Sequence, residues 1–412
     1  YNRNIFLGTE DKVMEKSKVY FTDFRTRLGE GLPSKLKRLM KAAGIQDMDM
    51  DHKFVAIKMH FGELGNLGFL RPNYAKAVAD VVKELGGVPF YFYNDEHLLK
   101  AVIDNASEEQ MKAFGETYRQ QMASSDVYVA LRGYDDIFAL SDVNERQMAL
   151  YMQHYYNPVH RSTRVPRTRW CVMRYPNQAM AALAKMSVEA FENFYFDACL
   201  VDYAKMCEAM TPLKELMERT DKVRIIAPGT DLAFSIKGIP AIKCCGEVNI
   251  PDGEVYTAPV KNSINGVVQF NTDTVYNGIF FSNVRLVFKD GRITEASSLA
   301  NNDKLQDILE TDAGSRYMGE FAFGLNPGIT HPILDILFDE KIGGSFHMAI
   351  GNSYDEAPNG NSSSVHWDLI QMQDAAHGGG EIYLDGILVR KDGRFVLPEL
   401  EGLNPERLKN EA

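Results

Sequence analysis

Phe54-Val-Ala-Ile-Lys-Met59, then Tyr74, Val78, Val81, Val82 and Leu85, then Val88-Pro-Phe-Tyr-Phe-Tyr93 read together as strand, helix and strand. The first run is short and mostly apolar, the length of one buried strand. The second recurs every three or four residues, which lays one apolar stripe along a helix. Pro72 stands near the expected helix start and Gly86-Gly87 at its end. Strands joined through a helix normally run parallel. A third strand is expected at Val127 to Leu131, so the N-terminal half is predicted to be an open α/β layer. The intervening loop, Gly62-Glu-Leu-Gly-Asn-Leu-Gly68, is not G-x-G-x-x-G, and no Gly-Lys-Ser/Thr follows it. A turn needing positive φ explains it better than a phosphate cradle.

Working outward, Thr168 to Thr220 is predicted to be helical, with Met, Leu, Phe and Ala at helical spacing over Met180–Met186 and Val188–Met217. Val223 to Ala227 resumes strand character until Pro228-Gly229 breaks it. The second half changes texture. Asp290-Gly291, Asp385-Gly386 and Asp392-Gly393 each sit between short alternating runs, the pattern of a hairpin. We therefore expect an α/β domain with a helical segment over 1–220 and an α+β domain over 221–412.

Two domains also suit a chain of 412 residues. A net charge of −11 argues against duplex binding, which relies on a basic face. No apolar stretch has bilayer length, and Tyr1 to Glu10 has no leader-like character. The five cysteines, Cys171, Cys199, Cys207, Cys244 and Cys245, form no Cys-x-x-Cys pair and read as reduced, buried thiols.

Groups suited to divalent metals gather in the second half. Pro251-Asp-Gly is a turn that delivers Glu254 to a strand; its ordinary reading is a solvated acid. Glu320 sits inside Tyr317-Met-Gly-Glu-Phe-Ala-Phe-Gly324, where a carboxylate needs a cation, whether a metal or Arg316. His347 lies in an apolar run whose ordinary reading is a core histidine, and Tyr354 follows a Gly-Asn-Ser turn. His366 and Asp368 are two apart, so in a strand they share a face. Phe338-Asp-Glu340-Lys341 is a charge cluster with a solvated or supporting role by default. No G-x-S-x-G or H-E-x-x-H motif competes.

In order, these segments resemble the aminopeptidase T, or thermophilic metalloprotease, family. The resemblance is carried by Pro228-Gly-Thr-Asp-Leu232, Asn249 to Pro259, Arg316-Tyr-Met-Gly-Glu-Phe321, Leu337 to Ile342, His347 to Gly351 and Ser364-Val-His-Trp-Asp-Leu369. It implies that Glu254, Glu320, His347, Tyr354, His366 and Asp368 hold two divalent ions, zinc, cobalt or manganese. It also implies peptides with a free N-terminus as substrate, a cytoplasmic homodimer, and a C-terminal metal-binding domain of the family's own type beside an α/β N-terminal domain. The first 85 residues fit the family less well.

On that reading the two ions activate one water and polarise the scissile carbonyl. Glu320 is the expected bridge, Tyr354 a ligand or oxyanion donor, and Glu340 a proton carrier or support. Two other classes are weighed. A mononuclear iron ring-cleaving dioxygenase would need only His347, His366 and Asp368. A non-catalytic, metal-stabilised binding protein is expected to close its site with cysteines, and here the cysteines are expected outside the cluster.

Overall fold

The structure, a computed structural model, describes residues 20, 26, 29–59, 72–93, 96–134 and 136–409. The loop from Gly62 to Gly68 lies outside the described residues.

The strand–helix–strand unit forms as expected. Strands Phe54–Met59 and Val88–Tyr93 flank helix Pro72–Glu84 and pair in parallel. Strands Val127–Arg132 and Arg169–Arg174 extend the parallel sheet, and Asn249–Ile250 returns from far along the chain to its edge. Tyr74, Val78, Val82 and Leu85 pack on Val55 and Ile57. The expectation of continuous helix from Thr168 is corrected here: Arg169–Arg174 is a strand, and three helices follow, Gln178–Leu183, Val188–Cys199 and Tyr203–Arg219. Trp170, Cys171 and Val172 suit a half-buried pleat, but six residues carry too little periodicity to stand out beside long helices.

Beside a two-stranded ribbon of Thr274–Tyr276 and Ile279–Phe281, two large antiparallel sheets make up the second half among the described residues. One has eight strands; the other runs in the order His366–Met372, Ser345–Gly351, Met318–Gly324, Glu254–Thr257, Ile242–Cys244. The Asp-Gly pairs at 290–291, 385–386 and 392–393 turn hairpins, with positive φ at both residues, for example 49° at Asp290 and 82° at Gly291. Asp tolerates this region and Gly enters it freely, which is why the pair marks the turn. The sheets face each other across one core that includes Ile225, Phe234, Leu286, Phe321, Phe346 and Trp367. Helix Tyr203–Arg219 contributes Met206, Met210 and Leu213 to the same core.

The halves are joined by Arg174, whose Nε and Nη2 donate to Asp335 at 2.5 and 3.0 Å. Helix Val188–Cys199 packs on Leu337, Phe338 and Ile342, so the segment after Asp335 is pressed against the smaller sheet. Among the described residues no helix is long and apolar enough to cross a membrane.

Candidate metal centre

In the smaller sheet the pleat separates two chemistries. Phe321, Phe323, Phe346, Met348, Ile350, Trp367 and Leu369 enter the apolar core. The alternate residues, Glu254, Glu320, His347, His366 and Asp368, therefore share the opposite face. The register then sets them side by side. Asp368 lies across from Ala349, His366 from Gly351, Glu320 from Ala349, and Glu254 from Gly324. Each of these four side chains thus has a small residue opposite it, which leaves room between them.

Glu320 reaches this face through a bulge. The register shifts between Met318 and Glu320, so Met318 packs in the core although it stands two residues from Glu320. An extra residue in one strand reverses the facing of the residues after it. That extra residue is Gly319, where an added Cβ would lie 2.0 Å from the Asn352 carbonyl oxygen.

The donor atoms converge. His347 Nε2 is 3.4 Å from Glu254 Oε2 and 3.4 Å from Glu320 Oε1. His366 Nε2 is 3.4 Å from Glu320 Oε2 and 3.7 Å from Asp368 Oδ1. Two triads result, Glu254–Glu320–His347 and Glu320–His366–Asp368, and Glu320 gives one oxygen to each. The Nδ1 of His366 donates to the Asn352 carbonyl at 2.9 Å, which directs its other nitrogen at the carboxylates. Tyr354 lays its ring against His366, with centroids 4.7 Å apart. Its residue surface is 39% exposed, while burial and the carboxylates of Glu320 and Asp368 raise its phenol pKa.

Burial works against every charge here. Burial opposes ionisation of Glu320, but the neighbouring imidazoles of His347 and His366 hold it at about 2. Burial raises Glu254 to about 8 and Asp368 to about 6, against the pull of Lys341 and His366 respectively. The same burial would lower His347, but Glu320 and Glu254 carry it to about 10. Glu254 Oε2 and His366 Nε2 are buried without a hydrogen-bond partner. Carboxylate oxygens and imidazole nitrogens left in this state fit hard or borderline divalent cations.

All six sequence-derived candidates meet at this face, and the ordinary alternatives fail for three of them. Glu254 is buried, not solvated; His347 faces acids, not a bonded core partner; Arg316 pairs with Glu310, not with Glu320. Glu340 stands beside them. Lys341, buried completely, donates to Glu340 and lies 3.9 Å from Glu254 Oε1. Of the two roles expected for this charge cluster, solvated or supporting, the burial of Lys341 beside Glu340 fits the supporting one. The cysteines are not all remote from the site either. Register places Cys244 across from Glu254, where it groups with Glu254 and Asp252. Burial first, then Glu254, keeps the Cys244 thiol protonated.

A buried acid–imidazole face on an antiparallel sheet, beside a parallel α/β layer, has the donor set of a metal-binding protein. The model of the thermophilic metalloproteases (M29) matches residues 68–395, and the chain belongs to that family. Aminopeptidase AmpS of Bacillus subtilis (strain 168) is 35% identical over 141 residues, 31% of this chain and 34% of that protein. Aminopeptidase PepS of Streptococcus thermophilus is 29% identical over 259 residues, 53% and 59% of the two chains. The chain thus spans about a third to three fifths of the length of these curated relatives. The solved structure of wild-type AmpT from Thermus thermophilus shares the fold, with a TM-score of 0.69 at 19% identity over 89% of this chain and 99% of that one.

Proposed function

We propose that the protein is a metal-dependent aminopeptidase that removes N-terminal residues from peptides, working with two divalent ions. One observation carries this reading: Glu320 divides its two carboxylate oxygens between two separate donor triads. That is what a bridging ligand does. When bound, such a pair of ions supplies Lewis acidity and brings the pKa of water near neutrality. Glu254 and His347 would hold one ion, His366 and Asp368 the other, with Tyr354 as a ligand or as donor to the developing oxyanion. Glu340, outside both triads, supports the centre through Lys341. A single iron would leave the paired carboxylates Glu254 and Glu320 without a purpose, so hydrolysis is favoured over ring cleavage.

The family relationship supports a peptide with a free N-terminus as substrate and zinc, cobalt or manganese as the metal. A cytoplasmic homodimer, free of nucleic acid and membrane, completes the reading. We place the domain division near residue 221, between the parallel and the antiparallel sheets, with helix Tyr203–Arg219 just before it packed into the core of the antiparallel half. The test is to strip the protein with chelator, restore zinc, cobalt or manganese separately, and assay short free-amine and N-acetylated peptides. Two ions per chain and cleavage of the free-amine peptide alone are expected. Full metal loading without peptide cleavage would sink the assignment.

A further inference from the structure

A peptidase that works from the N-terminus has to sense a free α-ammonium, and a primary ammonium is matched by a carboxylate oxygen that nothing else holds. This step rests on the aminopeptidase reading. Most carboxylates at the centre are committed elsewhere. Glu254, Glu320 and Asp368 face the imidazoles. Asp252 accepts from the Gly246 and Gly253 amides. Glu340 differs from them. It belongs to neither donor triad at the centre, and its side chain is 16% exposed against 4% for Glu320. Its Oε1 is taken by Lys341, while among the described residues Oε2 accepts no hydrogen bond.

Lys341 also fixes where that oxygen stands. The lysine is wholly buried, and its ammonium spans Glu340 and Glu254. It therefore ties a carboxylate outside the triads to one inside them. Because the same Nζ contacts Glu340 Oε1 and lies 3.9 Å from Glu254 Oε1, the Glu340 carboxylate is held on the side of the cluster. An ammonium seated there would bring the first peptide bond of a substrate toward the donor triads, and an acylated amine would bring bulk and no charge.

We infer that Glu340 Oε2 is the subsite for the α-ammonium of the substrate, held in place by Lys341.

The experiment uses the metal-loaded full chain with Glu340→Gln and Glu340→Ala. The substrates are leucyl p-nitroanilide and its N-acetyl form. Binding of leucinol, and of the same alcohol lacking its amine, is measured by calorimetry. Both variants are expected to retain the wild-type metal content. KM for the free-amine anilide should rise ~10- to 100-fold, the loss of one charge-assisted hydrogen bond, while kcat changes less than about threefold. Wild type should bind leucinol more tightly than the amine-free alcohol, and the variants should bind the two alike. A fall in kcat at unchanged KM would make Glu340 a proton carrier instead. Loss of metal would make it a ligand, and preserved preference for leucinol would place the ammonium elsewhere; each overturns the inference. If the loaded wild type cleaves neither anilide, the peptidase reading itself fails and the subsite with it.

Discussion

In the N-terminal lobe the buried charge is positive, whereas in the smaller antiparallel sheet it is negative. Arg164, 8% exposed, stacks on Trp170 with its guanidinium carbon 4.1 Å from the ring centroid, and lies 5.5 Å from the Tyr128 centroid. Its Nε and Nη1 have no hydrogen-bond partner, and burial, then the nearby Arg132, lower its pKa. A planar, weakly hydrated guanidinium tolerates this because aromatic faces are electron-rich. Carboxylates have no such refuge. Among the described residues, the cationic groups beside Glu254, Glu320 and Asp368 are two imidazoles and one lysine. Buried anions must find cations or be neutralised by protons. The acidic cluster therefore calls for a ligand in a way that the basic one does not.

The sharpest break in this contrast is Glu320→Gln. Removing the shared donor from both triads should reduce metal content and lower peptidase rate by more than about a hundredfold, beyond what loss of a supporting residue costs. Elemental analysis beside the rate assay checks it; retained metal with full activity would remove Glu320 from the centre. Gly319→Ala attacks the same group indirectly. The new Cβ collides with the Asn352 carbonyl, so the bulge must open and turn Glu320 away. Metal loss together with a stability loss of about 3 kcal/mol or more is expected, measured by denaturant unfolding.

Removing metal comes next. Each ion at ~1,000 times its Kd contributes about 4 kcal/mol, so chelation should lower Tm strongly. It should also expose a pH dependence. His347 at about 10, His366 at about 9 and Glu254 at about 8 all sit above their ordinary values. The folded chain then keeps protons that the unfolded chain releases. Stability of the metal-free protein must fall as pH rises from about 5 to about 10. Glu320 acts oppositely, its contribution being lost only as pH falls through about 2. Cations that displace those protons remove the alkaline slope. Tm against pH, with chelator and with zinc, compares the two; identical curves would refute the account.

Between these extremes lies Arg174→Met. It leaves Asp335 buried with no cation beside it and should cost about 3 kcal/mol, read by denaturant unfolding. The smallest effect belongs to the basic cluster. Arg164→Met removes an unpaired buried charge and a ring contact together, so stability should change by about 1 kcal/mol or less, with metal content unaltered. A large loss would mean that Arg164 has a counter-charge and that the contrast between the lobes is false.

Much of this was legible in the chain. Helical spacing over Tyr74 to Leu85 located the first parallel unit, and three Asp-Gly pairs located three hairpins, because both signals are local. The two-residue step from His366 to Asp368 set them on one face for the same reason. Strand Arg169–Arg174 was not legible, since a parallel strand is defined by neighbours distant in sequence. Nor was Lys341, whose burial depends on the helix and sheet that enclose it.

By itself, then, the sequence determined most of the element types, the family, and a set of candidate donor residues; periodicity, turn chemistry and side-chain donors are properties of short segments. Tertiary structure alone decided that Glu320 serves both triads, that Lys341 is buried against Glu254, and that Cys244 lies across from the same glutamate. Those relations arise from strand register and from one bulge at Gly319. Register is a long-range quantity, set when whole sheets pack and one face becomes apolar, and no short stretch of chain encodes it.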